Sequence, residues 1–347
     1  MNKVLLRLLA LSLLTISSSS FALEANGTGS AIPAPLIKTW AEVYSGRTSG
    51  ITIKYNGSNP ADGVKRVINK EVDFSLVDMP LSADDLKSKG LIQFPIVIGS
   101  IVPIVNLPKV YVGQLKLDAA TLADIFLGNI KKWNDPALIA MNPGITLPDA
   151  NIVVVHRVSP EGVRTIIGAY LALLHPQWKA TKGEGMAGIW PATSIEVKTP
   201  ADNIAAIKNT PYSIGYGPVS IALKNGMAYA QMKNMEGHFI SPSDANVSAA
   251  AENATWDVSN GFGAVLVNQP GANTWPISSA SYVLMRSRSE SAEHTRELLK
   301  FFKYSLRYGG LKAVEIDFLP LPDLVISKVR SSWSGIVDEK GGAVYKE

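Results

Sequence analysis

The segment from Val153 to Leu171, VVVHRVSPEGVRTIIGAYL, decides the fold class. A β-branched run is followed by a polar turn and an apolar stretch, which predicts a strand, a loop and a helix in succession. A helix N-terminus offers unpaired N–H groups and about half a positive charge, so it can hold an anion. Arg157 at the start of the turn suits an anion, whereas Glu161 within the turn does not. The residues alone leave open what this loop binds.

The alternation of strand and helix patterns continues along the chain. Residues 50–57 (GITIKYNG) and 275–287 (WPISSASYVLMRS) have strand patterns, and residues 291–310 have the periodicity of an amphipathic helix. Residues 91–107 (LIQFPIVIGSIVPIVNL) contain two prolines and a glycine, which favours one or two buried strands over a helix. These patterns predict an α/β fold with mostly parallel sheets, in which ligands bind beyond the carboxyl ends of strands.

Composition excludes several classes of function. The chain has 347 residues, 46% of them hydrophobic, and no cysteine. This length suits about two domains, and the lack of cysteine excludes disulfides, thiol catalysis and thiolate metal sites. The net charge of +4 is scattered, so no nucleic-acid partner is expected. Since the histidines are far apart and catalytic motifs are missing, we expect no metal, no organic cofactor and no enzyme. Acid–base chemistry by Asp78 and Glu161 is the weaker alternative.

The N-terminal segment has the pattern of a secretory signal peptide. Lys3 and Arg7 make its start basic, the apolar run from Val4 to Ile16 is too short to span a membrane, and Ser20-Phe21-Ala22 forms a cleavage site. We therefore expect residues 1–22 to be removed and the remainder to be periplasmic. No cysteine is available for a lipid anchor.

Several motifs, in order, resemble the PstS-type phosphate-binding periplasmic proteins of bacterial ABC importers. GTGSAIPAPLIKTW (residues 27–40) is similar to the G-x-G-[AS]-[ST]-F-P-A-P opening of that family, and VDFSLVDMPLS (residues 72–82) is similar to V-D-F-G-x-S-D-x-P-L. QFPIVIGSIVPIVNLP, LADIFLGNIKKWNDPAL and WPISSASYVLM also have close counterparts. The resemblance covers nearly the whole chain after the signal peptide.

The resemblance implies a two-lobed clamp of the periplasmic-binding-protein type. Each lobe is expected to be a mostly parallel sheet flanked by helices, and two hinge strands would connect the lobes. Residues 23–104 and 276–347 would form lobe I, and residues 105–275 would form lobe II. The implied partners are a small anionic solute such as phosphate and an ABC permease in the inner membrane, with the binding protein itself a monomer. Hinge motion would be the switch.

The resemblance also assigns site residues. Arg157 occupies the position of the arginine that pairs with phosphate, and Asp78 that of a carboxylate that accepts a hydrogen bond from protonated phosphate. Gly162 is kept, and Ile32 stands for a phenylalanine whose role is its backbone N–H. A structural salt bridge is the alternative role for Arg157.

Four expected hydroxyls are missing. Ala31 replaces a threonine or serine, Ala61 or Pro60 replaces a serine, Glu161 replaces a serine, and Val163 replaces a threonine. A hydrogen bond to a charged group contributes about 1.5–3 kcal/mol, so their loss would weaken phosphate binding. Two hypotheses remain: a protein for phosphate or a related small oxyanion, or a scaffold that has lost this specificity. The second would bind a zwitterionic or other ligand, or act as a non-transport sensor or surface protein.

Two charged residues of the opening segment have alternative interpretations. Glu161 either complements the helix dipole in the first turn or, with Arg157 and Asp78, binds a ligand that has both a cationic and an anionic end. Arg164 is either a solvated helix arginine or a second guanidinium for the anion. His156, next to Arg157 on a strand, is expected to face away from it and to pack rather than to bind a ligand.

Overall fold

The computed structural model describes residues 23–48, 50–158, 162–183, 186–188 and 190–345, so the predicted signal peptide lies outside the described residues. The described residues form twelve strands: β1 (Leu23–Ser30), β2 (Ile51–Ser58), β3 (Phe74–Val77), β4 (Leu91–Asn106), β5 (Lys116–Leu117), β6 (Val153–Arg157), β7 (Ile195–Val197), β8 (Ser213–Pro218), β9 (Ala228–Tyr229), β10 (Gln231–Lys233), β11 (Phe239–Ile240) and β12 (Ser278–Arg286).

The same residues form thirteen α-helices: α1 (Ala34–Ser45), α2 (Pro60–Ile68), α3 (Ala83–Lys89), α4 (Ala119–Leu127), α5 (Pro136–Met141), α6 (Gly162–Leu174), α7 (Pro176–Lys182), α8 (Pro200–Asn209), α9 (Val219–Lys224), α10 (Asp244–Glu252), α11 (Ala292–Tyr308), α12 (Gly310–Val314) and α13 (Asp323–Ser332). Among these helices, none combines the length and the apolar character that crossing a membrane requires.

A nine-stranded sheet forms the centre of the molecule, in the order β2-β1-β3-β12-β4-β8-β6-β7, with β9 beside β4. β1 is parallel to β2 and β3, and β6 is parallel to β7 and β8. Between these triplets, β12 is antiparallel to β3 and β4, and β4 is antiparallel to β8. The predicted α/β class with mostly parallel sheets is confirmed, and the antiparallel pair joins the two triplets.

Strand β4 connects the two halves of the sheet. The apolar run predicted as one or two buried strands is one strand of 16 residues. Its residues 91–100 pair with β12, and its residues 101–106 pair with β8. Pro95 lacks an N–H group, and the register of β4 against β12 shifts at this level, between Ser281 and Tyr282. A proline-containing strand is therefore accommodated in the centre of the sheet.

The sequence signals that predict the start of α2 and the end of α4 are confirmed. Asn59 caps α2, since its side-chain oxygen accepts a hydrogen bond from the Ala61 N–H at 2.8 Å, and Pro60 fills the first helical position. Helix α4 ends at Gly128, which adopts a φ of 80° in the left-handed region. These caps fix the start of α2 and the end of α4.

Strand β1 and helix α9 are not predicted by the sequence pattern. The sequence of β1, LEANGTGS, has few apolar residues, yet β1 lies between β2 and β3. Gly27 makes this possible, because a Cβ atom there would lie 2.2 Å from Cζ of Phe74. The small residue lets the Phe74 ring pack directly on the strand backbone.

Candidate functional site

A cavity of about 570 Å³ lies where the carboxyl ends of several strands meet. Residues at or just beyond the ends of β1, β2, β3, β6 and β8 line it, which is the usual ligand position of an α/β fold. The half of the sheet that contains β1 contributes Ser30, Ala31, Ile32, Ser58, Pro60 and Asp78. The half that contains β6 contributes Arg157, Gly162, Val163, Pro218, Ser220 and Ile221. The cavity therefore lies between the two halves.

Most of the residues predicted for the site line this cavity: Ala31, Ile32, Asp78, Arg157, Gly162 and Val163. Ala61 and Arg164 are not among the lining residues. Glu161 lies outside the described residues, so its role stays a prediction. Contact of any of these residues with a ligand stays a prediction.

Arg157 is the last residue of β6 and is 3% exposed. Its backbone N–H donates a hydrogen bond to the hydroxyl of Tyr216 at 3.3 Å, which ties the end of β6 to β8. Gly162, the first described residue of α6, lines the same cavity. A guanidinium group and a helix N-terminus thus converge on one space, and both favour a negatively charged group.

Asp78 follows β3 and contacts the start of α6. It is 3% exposed, and Ser281 Oγ donates to its Oδ1 at 3.4 Å. A Cβ atom on Gly162 would lie 1.7 Å from Asp78 Oδ2, so only glycine leaves room for this carboxylate. A carboxylate is favourable at a helix N-terminus. Because β3 and α6 belong to different halves of the sheet, this contact spans the cavity.

The buried phenol of Tyr55 donates at 2.7 Å to the carbonyl of Ser30, a residue that lines the cavity. Burial, together with the negative charge of Asp78, raises the pKa of Tyr55 well above its usual range. The phenol therefore stays protonated and keeps its hydrogen bond to the Ser30 carbonyl.

Backbone donors near β1 and β2 already have partners. The Ile32 N–H, which the resemblance assigns to the ligand, donates to Ser30 Oγ at 3.1 Å. The Ala61 N–H is held by its cap residue, as described above. Of the two positions considered for the missing serine, Pro60 lines the cavity and Ala61 does not. An anion at this wall would have to replace existing hydrogen bonds, which reduces the net gain from binding.

Arg164 has a role that neither sequence interpretation describes. It is 9% exposed rather than solvated, and its guanidinium donates to the carbonyl of Met186 at 2.6 Å and to the carbonyl of Val158. It connects the segment after β6 to the segment after α7. Arg164 therefore holds Val158, the residue that follows Arg157.

A stacked histidine–tryptophan pair lies near Arg164. His156 is 3% exposed and its ring stacks on Trp190, with 4.1 Å between ring centroids. Burial, with the positive charge of Arg164 adding to it, lowers the pKa of His156 to about 4 and that of Lys182 to about 8. His156 is therefore neutral at pH 7 and packs as expected.

Sequence reasoning missed two parts of the wall. Pro218, Ser220, Ile221 and Lys224 come from the end of β8 and from α9, and the rule for strand ends would have indicated the first of these positions. Residues 315–318 also line the cavity, although no strand precedes them. A backbone bridge between Ile98 and Leu319 brings them there, and such a long-range pairing leaves no local sequence signal.

A cavity between two half-sheets that share long central strands defines a two-lobed binding protein, and comparison with known proteins agrees. The model of the PBP superfamily domain matches residues 17–306. The chain is 38% identical over 335 residues to the phosphate-binding protein PstS of Pasteurella multocida, covering 95% of this chain and 97% of the relative. It is also 38% identical over 323 residues to PstS of Haemophilus influenzae, covering 92% and 96%. The chain belongs to the PstS family of this superfamily.

Solved structures show the same fold. The phosphate-binding protein of Stenotrophomonas maltophilia superposes with a TM-score of 0.66 at 18% identity, covering 89% of this chain and 94% of that one. The two-lobed α/β architecture expected from the sequence is thereby confirmed.

Proposed function

We propose that this protein captures phosphate or a related small oxyanion between its two lobes and delivers it to an ABC importer. The observation that carries the proposal is the convergence of Arg157 and the N-terminus of α6 on one cavity at the strand ends. The names of the PstS relatives support it. Export to the periplasm after cleavage at residue 22, a monomeric state and an inner-membrane permease as partner are parts of the same proposal.

The binding mechanism follows from the charges at the cavity. The Arg157 guanidinium forms two parallel hydrogen bonds to the oxyanion, and the N–H groups that begin α6 point at its remaining oxygens. Asp78 accepts the hydrogen bond of a protonated oxyanion, because a carboxylate has no proton to donate. Asp78 and the ligand then share the positive end of α6, which favours a monoprotonated anion over a fully ionised one.

The hinge follows from the connections between the two halves. We propose that residues 23–104 and 276–347 move as lobe I and residues 105–275 as lobe II. The change of partner within β4 between Ser100 and Ile101 supports a crossing at this level. The indole N–H of Trp275 donates to the Ile101 carbonyl at 3.2 Å, which supports a second crossing beside the first. Opening would separate Asp78 from Gly162, and closing would restore their contact.

A zwitterionic ligand is the second candidate, and the charges of the described lining favour it. The carboxylates of Asp78, Glu315 and Asp317 line the cavity together with the cations of Arg157 and Lys224. More acidic than basic groups on the wall disfavour a doubly charged anion and suit a ligand that also carries an ammonium group.

Calorimetric titration of inorganic phosphate tests the proposal. The mature chain is stripped of ligand by unfolding and refolding, and we expect one-to-one binding that Arg157→Gln weakens by about tenfold to hundredfold. Arg66→Gln serves as the control, because Arg66 is an exposed arginine of α2 that pairs with Glu71 outside the cavity. A folded protein that binds neither phosphate nor another oxyanion would refute the proposal.

A further inference from the structure

The cavity is larger than a bare oxyanion requires. Phosphate has five heavy atoms, and at about 30 Å³ for each water-sized group it would fill on the order of 150 Å³. The cavity holds about 570 Å³, which lies in the range of about 300–1,000 Å³ typical of sites for larger organic ligands. A phosphate seated at Arg157 would leave most of this volume to something else.

Besides the charged groups of Lys224, Glu315 and Asp317, the rest of the wall is mainly apolar. Ile32 and Val163 lie near the start of α1 and α6, Ile221 comes from α9, and Ile316 and Phe318 come from the segment after α12. Val163 is one of the positions where the family has a hydroxyl. Apolar surface gives a bare anion no stabilisation and removes water from it, which is unfavourable. The same surface stabilises a hydrocarbon group by about 25 cal/mol per Å² buried.

Residues 315–318 are a part of the cavity wall that is held in place by the central sheet. Ile98 and Leu319 exchange two backbone hydrogen bonds of 2.9 Å each, which attach the end of the segment to β4. Phe318 is 6% exposed, and a Cβ atom on Gly99 would lie 3.5 Å from its ring, in ordinary contact. The apolar side chains that it offers to the cavity are thus held against the central strand.

We infer that the ligand of this cavity is an oxyanion with an apolar organic substituent, a phosphonate or phosphate monoester of the general form R–PO₃. The PO₃ group binds at Arg157 and the start of α6, and the substituent packs on Ile221, Ile316 and Phe318. This inference rests on the proposed function, because it places the oxyanion at the same residues. It adds the substrate class and the residues that select it.

A series of three ligands tests the inference. Inorganic phosphate, methylphosphonate and phenylphosphonate are titrated calorimetrically into the stripped, refolded mature chain. We expect phenylphosphonate to bind roughly tenfold to hundredfold more tightly than the other two, because only its ring reaches the apolar wall. Methylphosphonate controls for the replacement of one oxygen by carbon.

Two variants test whether residues 315–318 contact the apolar substituent of the ligand. Ile316→Ser should lower the ratio of phenylphosphonate affinity to phosphate affinity by about threefold to tenfold. Val314→Ser is the matched control, because Val314 is an exposed apolar residue of the preceding helix that does not line the cavity. An unchanged ratio in Ile316→Ser would overturn the assignment of this wall.

The outcomes separate the inference from the function on which it rests. If phosphate binds and phenylphosphonate binds no more tightly, the inference is wrong and the proposed function stands. If none of the three ligands binds to folded protein, the inference fails, and the proposed function fails with it when no other small oxyanion binds. Circular dichroism of each refolded sample establishes that the protein is folded.

Discussion

Replacement of Gly162 by alanine tests the contact between the two halves of the molecule. The new Cβ atom would lie 1.7 Å from Asp78 Oδ2, so the carboxylate or the helix must move by roughly 2 Å to reach ordinary contact. Moving a buried carboxylate away from a helix N-terminus costs about 0.3–2 kcal/mol, and the added methyl group costs about 1–3 kcal/mol where space is short.

If Asp78 and residue 162 come into contact only when the two lobes close, these costs weaken ligand binding. Opening relieves the clash in the free protein, so the free energy of unfolding without ligand should change little. A cost of about 2 kcal/mol in the closed form predicts that affinity falls about 30-fold. Alanine otherwise favours helices over glycine by up to about 1 kcal/mol, so a loss of affinity cannot come from helix propensity.

The assay combines calorimetric titration with urea unfolding of the ligand-free chain. Gly335→Ala is the control, because a Cβ atom there meets no atom within 4 Å. A cycle with Asp78→Ala measures the coupling, which should be large because the two residues are in contact. Wild-type affinity in Gly162→Ala, or a loss of stability as large as the loss of binding, would refute the account of closure.

Three further predictions concern single residues. Val163→Thr restores a hydroxyl at the cavity and should tighten phosphate binding by about tenfold in calorimetric titration. Ala61→Ser adds a hydroxyl outside the lining and should not tighten binding. Equal effects of the two variants would contradict the placement of both residues. Arg164→Gln removes hydrogen bonds to two backbone carbonyls, one of them buried, and should lower the free energy of unfolding by about 1–3 kcal/mol in urea; unchanged stability would show that these bonds are not needed. His294 lies 3.1 Å from Asp73, and this hydrogen bond raises the pKa of His294. A raised pKa stabilises the fold below the unfolded pKa of about 6.5, and this stability is lost as the pH rises through the folded value. His294→Gln should therefore cost more stability at pH 5.5 than at pH 9, and a cost that does not depend on pH would contradict the ion pair.

The parts of the fold with local signals were predictable. The run from 91 to 107 could only be extended, because its prolines and glycine exclude a helix, and Asn59-Pro60 marks a helix start wherever it occurs in a chain. Strand β1 was not predictable, because its glycines carry no strand signal and their purpose appears only once Phe74 packs on them.

The sequence indicated the part of the candidate cavity that is expected to bind an anion. It did not indicate the apolar part. Arg157, Asp78 and Gly162 stand at the ends of strands or the start of a helix, where a general rule places ligands. The direction of the Arg164 side chain depends on the carbonyl of Met186, which comes from a different segment. The wall of residues 315–318 depends on a bridge to Ile98 more than 200 residues earlier in the chain.

A crystal structure of the mature chain grown with inorganic phosphate tests the central claim most directly. The account predicts phosphate held by the Arg157 guanidinium and the N–H groups that begin α6, with Asp78 in hydrogen-bonding contact. Phosphate bound elsewhere, or none in the cavity at a concentration that saturates binding in solution, would contradict it.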